Sequence, residues 1–130
     1  MERYVIDTHA LVWFLEKSRK LGKKVREILG TKERILIIPT IVLAEIKYLH
    51  KKHRFSTSLR EVMEVIEEDK HCLVYPLDIK VVEVMPEGLD IHDGIIVATG
   101  LSLQELFDEE IKVLTKDGAI KDSGLISTVW

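Results

Sequence analysis

Four acidic residues stand where a folded chain seldom leaves charge idle. Asp7 directly follows the apolar run Tyr4-Val5-Ile6, and Asp117 closely follows the apolar run Ile111 to Leu114, so each marks the end of a strand. Aspartate at such a place also serves as a helix N-cap. Glu45 has Ile41, Val42, Tyr48 and Leu49 at its i−4, i−3, i+3 and i+4 positions, which puts a carboxylate on an apolar helix face. Asp93 follows Asp90 in a D-x-x-D spacing at a helix start, and the next turn brings Ile96 and Val97, an inward face. Carboxylates that converge away from water repel one another, and the usual resolution is a divalent cation with oxygen ligands, here Mg²⁺ or Mn²⁺. The five histidines lack an H-E-x-x-H arrangement, and His50 with His53 beside Lys51 and Lys52 reads as a surface pair, so zinc is not expected. His9 and His92 stand beside the acids in sequence as possible substrate contacts or solvated histidines.

The elements that must position these acids follow from the hydrophobic pattern. Short runs of β-forming residues at Arg3 to Ile6, Ile35 to Ile38, Cys72 to Tyr75, Ile111 to Leu114 and Ile126 to Val129 predict five strands. Between them, helical spacing predicts helices over Thr8 to Glu16, Lys20 to Leu29 with Gly30 as its stop, and Ile41 to Lys52 with Thr40 as its N-cap. Further helices are expected from Ser56 or Ser58 through Ile66, from Ile79 to Met85, from Asp90 to about Leu106, and as a turn over Gly118 to Lys121. Strands this apolar suit a parallel sheet covered on both faces, so the expected fold is α/β, a three-layer αβα sandwich around a central, mostly parallel five-stranded sheet. Ligands of such sheets bind beyond the carboxyl ends of the strands, where the strand order reverses.

In order along the chain, YVIDTHALVWFL, PTIVLAEI, DIHDGIIVATGL, VLTKDGAIKDSGL and the terminal Trp130 resemble the successive blocks of the PIN domain family, in particular the prokaryotic VapC-like ribonucleases of toxin–antitoxin systems. The resemblance spans nearly the whole chain, as one nuclease domain over residues 1–130. It implies that Asp7, Glu45, Asp93 and Asp117 are the catalytic, metal-binding set, with Thr115 as an assisting hydroxyl, Thr8 as a weaker auxiliary and Asp90 and Asp122 as auxiliary charge. Gly94 departs from the family, many of whose members carry arginine there. The implied activity is Mg²⁺- or Mn²⁺-dependent hydrolysis of RNA phosphodiesters, with an antitoxin protein as partner and a homodimer as the assembly. A phosphotransfer domain, receiver-like or phosphatase-like, is the alternative enzyme, though Asp7 is single where a receiver has paired acids, strand three ends in Tyr75-Pro76-Leu77-Asp78 where it has a phosphoacceptor, and position 9 is histidine where a D-x-D phosphatase needs an acid. An inactive PIN-like interaction module is the non-enzymatic alternative.

Composition bounds these readings. With 130 residues, 46% apolar and 32% charged, the chain has the makeup of one ordered domain. No apolar run approaches the roughly 18 residues that span a membrane, and the N-terminus lacks a signal-peptide layout, so a cytoplasmic location is expected. The lone Cys72 excludes an internal disulfide or a thiolate metal cage. A net charge of −3 provides no global attraction for nucleic acid, so RNA contacts must be local. Lys20, Lys23 and Lys24, in the basic stretch after the first helix, are the candidate phosphate contacts. No aromatic-rich stretch announces a single-strand groove. The apolar surface from Glu45 to Ile66 is the expected dimer face, and an apolar groove is expected to take an antitoxin tail.

Overall fold

Tyr4, Val5 and Ile6 are buried together with Leu36, Ile37 and Ile38, and this pairing of contiguous apolar runs builds the centre of the sheet. The structure, a computed structural model, describes residues 1–130. Strand β1 (Glu2–Ile6) leads into α1 (Thr8–Leu15) and α2 (Lys23–Gly30), and β2 (Arg34–Pro39) into α3 (Thr40–Lys51) and α4 (Leu59–Glu68). Then β3 (Cys72–Tyr75) leads into α5 (Ile79–Glu83) and α6 (Ile91–Phe107), and β4 (Lys112–Leu114) into α7 (Gly118–Ser123) and β5 (Thr128–Val129).

The sheet order is β3-β2-β1-β4-β5, and every pairing is parallel. From β1 the chain steps outward through β2 to β3, then crosses back to β4 on the other side of β1. Right-handed crossovers put α1 to α4 on one face and α6 and α7 on the other, which makes the expected three layers. The order reverses between β1 and β4, where Ile6 is level with Leu114. A crevice beyond Ile6 and Leu114 is thus built into the topology. Helix α6 is buried from Gly94 to Gly100, and a Cβ on Gly100 would lie 2.4 Å from Ile126 Cδ1, so glycine lets the helix lie close to the chain entering β5. No helix is long and apolar enough to cross a membrane.

Several boundaries differ from those the pattern predicts. Helix α2 starts at Lys23 because Ser18 to Gly22 is drawn into a turn, where the Arg26 guanidinium donates to the Ser18 and Leu21 carbonyls. Gly30 is its last helical residue and not its stop. Thr40 does not cap α3: Pro39 occupies the cap position, and the Thr40 hydroxyl accepts from the Leu77 N–H at 3.2 Å, tying α3 to the chain after β3. Of the two serines, Ser58 caps α4, in a reciprocal capping box with Glu61. The apolar surface expected from Glu45 to Ile66 is mostly covered. Between Glu45 and Ile66 only Tyr48 and Val65 are large exposed apolar side chains, whereas Ile79, Val82 and Ile91 are exposed on α5 and the start of α6.

At the opposite end of the sheet from the crevice, Arg34 is 5% exposed at the start of β2. Its Nη2 donates to Asp69 Oδ2 at 3.0 Å, while Nε and Nη1 have no partner. Burial pushes Asp69 up, but the His71 N–H and the Arg34 guanidinium outweigh it and hold the carboxyl below its ordinary value. Burial and the Asp69 charge push the neighbouring Cys72 thiol up to about 11, so it stays protonated and unreactive. Removing Asp69 strands a buried cation. Asp69→Ala is expected to lower the unfolding free energy by about 2–3 kcal/mol at pH 7. Because the folded pKa is depressed, this contribution is present above about pH 4 and is lost as pH falls through the folded value. Urea unfolding of both proteins at pH 7 and at progressively lower pH checks that the gap narrows in acid.

Candidate active site

Asp7 is the first residue beyond β1, and its backbone N–H continues the ladder to the Leu114 carbonyl at 3.2 Å. Its side chain is almost wholly buried. Oδ1 caps α1 by accepting from the Ala10 N–H at 2.9 Å, and Oδ2 accepts from the Thr115 hydroxyl. That hydroxyl in turn accepts from the Asp117 N–H at 3.0 Å, so Thr115 joins the first acid to the backbone of the last. Asp117 caps α7 through the Ile120 N–H at 3.0 Å. Each aspartate therefore does fill the capping role its position suggested. A cap uses one carboxylate oxygen and leaves the rest of the group free for other partners.

Asp93 reaches the same crevice from α6. Asp90 caps that helix by accepting from the Asp93 N–H at 2.9 Å, which fixes Asp93 in the first turn with its side chain half-buried. Burial and the charges of Asp117, Asp90 and Asp7 push the Asp93 carboxyl up to about 6. Burial also raises Asp7, against the pull of the Thr115 hydroxyl, the Ala10 N–H and nearby His9, and the Asp117 charge adds to the rise. No ion pair neutralises Asp7, Asp93 or Asp117. Three carboxylates thus share one field without a cation.

Glu45 is not tied to them. It is half-buried on α3, which packs against α1 and α6, but the buried seam of that helix runs through Val42 and Ile46. Tyr48, expected on the same apolar face, is 60% exposed, so Glu45 lies at the margin of the seam. No hydrogen bond or ion pair joins it to the other acids, and its charge is not among those acting on Asp7 or Asp93. Thr8 is buried at the start of α1, Asp122 is exposed on α7, and His92 is exposed beside Asp93. Asp78, the acid that follows β3, caps α5 and accepts from the Tyr75 hydroxyl, and its charge is not among those acting on Asp7 or Asp93.

As the side chains stand, no three His, Cys, Asp or Glu residues are gathered closely enough to hold a metal ion. The chemistry of the donor set nonetheless fits a hard dication, since all donors are carboxylate oxygens and their mutual repulsion is uncompensated. The basic residues divide. Lys23 and Lys24 are exposed at the start of α2, and Lys24 borders a cleft of about 990 Å³ with Thr115, Lys116 and Lys121. Lys20 lies elsewhere, beside the Trp13 ring. Lys116 and Lys121 carry charge that the sequence reading passed over, although Lys116 stands between Thr115 and Asp117.

A family model described as PIN domain matches residues 4–122. No curated protein matches the chain significantly. Among solved structures, VapBC2 from Rickettsia felis, bound to a DNA fragment from its promoter, is similar with a TM-score of 0.71 at 15% identity, covering 98% of each chain. FitAcB from Neisseria gonorrhoeae gives 0.64 at 14% identity over 98% of this chain and 96% of that one. The PIN domain of RRP44 from T. brucei gives 0.63 at 10% identity over 98% and 75%.

The raised acid makes a stability prediction. A carboxyl whose folded pKa lies above its unfolded value, near 4, costs nothing below that value and penalises folding increasingly as pH rises toward about 6. Asp93→Asn should therefore melt a few degrees above wild type at pH 7.5 in EDTA, with the difference vanishing near pH 4. A variant that melts below wild type at both pH values would make Asp93 a helix-start residue and nothing more.

Proposed function

The chain belongs to the PIN domain family, and from that membership we propose that it is a metal-dependent endoribonuclease, the toxin of a toxin–antitoxin pair. The observation that carries this reading is the uncompensated group of Asp7, Asp93 and Asp117 at the switch point between β1 and β4. A ligand needing positive charge would be repelled there unless a cation came with it. Asp7, Asp93 and Asp117, with Glu45 from α3, would hold Mg²⁺ or Mn²⁺.

A bound divalent cation supplies positive charge against the phosphodiester oxygens and lowers the pKa of the attacking water. The protein's own groups set the geometry. The Ala10 N–H and the Thr115 hydroxyl each hold one oxygen of Asp7, so that this carboxylate has a fixed orientation. Thr115 also holds the Asp117 backbone, which keeps the two strand-end acids in register. Asp90, whose charge acts on Asp93, and Asp122 would add negative charge, and Thr8, buried next to Asp7 in sequence, would be a weaker auxiliary.

RNA cleavage by the purified protein should require Mn²⁺ or Mg²⁺ and cease in excess EDTA. Asp7→Asn and Asp117→Asn should each slow it about 100-fold or more while the fold is kept. Asp78→Asn, at the cap of α5, should cut at the wild-type rate. Cleavage that persists in EDTA, or equal sensitivity at Asp78, would overturn the assignment.

The partners follow the same reading. An antitoxin would bind through its own segment, and VapBC2, solved on promoter DNA, is one similar structure that supports considering such a complex. The second partner is another copy of the chain, docked through the exposed Ile79, Val82 and Ile91 of α5 and α6. Light scattering should return twice the 15.0 kDa chain mass, and Ile79→Glu should return the single mass.

A further inference from the structure

Rings that the sequence keeps apart meet along one side of α1. His9 and Trp13, four residues apart on that helix, lie edge to face with centroids 5.4 Å apart. Phe55, from the loop between α3 and α4, meets His9 at 5.5 Å, and Trp130 meets Trp13 at 5.8 Å. The absence of an aromatic stretch in the sequence therefore does not mean the absence of an aromatic surface.

His9, Trp13 and Phe55 border a cleft of about 510 Å³ with Lys20 and Arg54 in its wall. The Lys20 and Lys116 ammonium groups stand 5.7 and 5.9 Å from the Trp13 ring centroid. Glu16 is the one acid in the wall, against Lys20 and Arg54, which leaves a positive balance. A purely structural aromatic cluster would be buried and free of charge. Here His9 is exposed, Trp13 and Phe55 are half-buried, and flexible cations flank the rings. Aromatic faces accompanied by lysine and arginine at an open cleft form a surface on which unpaired bases stack while their phosphates are held.

One wall residue, His9, is two residues beyond Asp7, and Lys116, outside the wall but over the Trp13 ring, lies between Thr115 and Asp117. At ~1.5 Å per helical residue, Trp13 lies roughly 9 Å along α1 from Asp7. A base seated there belongs to a nucleotide neighbouring the one at the acids.

We propose that the His9, Trp13 and Phe55 cleft, flanked by Lys20 and Arg54, seats an unpaired base of single-stranded RNA beside the linkage held at the carboxylates. The inference rests on the nuclease reading for the identity of the strand, but its test does not use cleavage. Fluorescence anisotropy in EDTA, where no cutting is expected, compares a labelled oligouridylate with an abasic oligomer of equal length and with a duplex RNA. The base-bearing strand should bind about tenfold more tightly than the abasic one and should quench tryptophan emission. Trp13→Leu should abolish that preference, Trp13→Phe should retain most of it, and His9→Ala, at an exposed ring, should weaken it about threefold. The His9 variant keeps the test decisive if Trp13→Leu fails to fold. Equal binding of base-bearing and abasic strands, tighter binding of the duplex, or an unchanged preference in folded Trp13→Leu or in His9→Ala would overturn the proposal. Base-dependent binding without Mn²⁺-supported cleavage would sink the nuclease reading alone, whereas cleavage without base preference would sink this one.

Discussion

One hydroxyl connects the two halves of the site. Thr115 donates to the Asp7 carboxylate and accepts from the Asp117 N–H, bridging strands that are 108 residues apart in sequence. Without that link, Asp7 at the end of β1 and Asp117 at the start of α7 would be two separate helix caps under mutual repulsion. The bridge works because parallel β1 and β4 are in register at Ile6 and Leu114, so the residues just beyond them meet at equal height. The topology makes the meeting point, and the hydroxyl sets the distance at which like charges are kept there. Asp93 then enters from α6 into a field it did not create, and burial together with that field raises its pKa.

The two ends of the sheet treat buried charge in opposite ways. At the start of β2, Arg34 is paired with Asp69, and their opposite charges support the fold. At the carboxyl ends, acids of one sign are collected and partly buried, which opposes the fold at neutral pH. The division follows access: the paired charges lie away from the crevice, and the like charges lie at its mouth.

What the sequence disclosed depended on how local each signal was. Tyr4 to Ile6 and Leu36 to Ile38 are unbroken apolar runs, and Ser58 with Glu61 is a complete capping box, so those elements could be read from neighbours alone. Thr40 was misread because its hydroxyl turns to Leu77, a residue 37 positions away. Asp7, Asp93 and Asp117 were legible because strand ends and helix starts converge in any sheet of this order. Glu45 was read from its apolar neighbours, yet a narrow seam through Val42 and Ile46 leaves Tyr48 outside and moves the glutamate to the edge. The aromatic surface was illegible for the converse reason: Trp13 and Trp130 are brought together only by tertiary packing, and neither has a local pattern that points to the other.

The bridge from Asp7 to Thr115 also has a consequence in time. On the ribosome the N-terminal acid emerges first, and the strands β1, β2 and β3 can pair as the chain lengthens. Nothing in those segments can complete the crevice, because the partner hydroxyl and the last aspartate belong to residues 115 and 117. A nascent chain therefore carries the scaffold long before it carries the site. Whatever chemistry the crevice performs is withheld from the surroundings of the translating ribosome until β4 has been made and has slotted in beside β1.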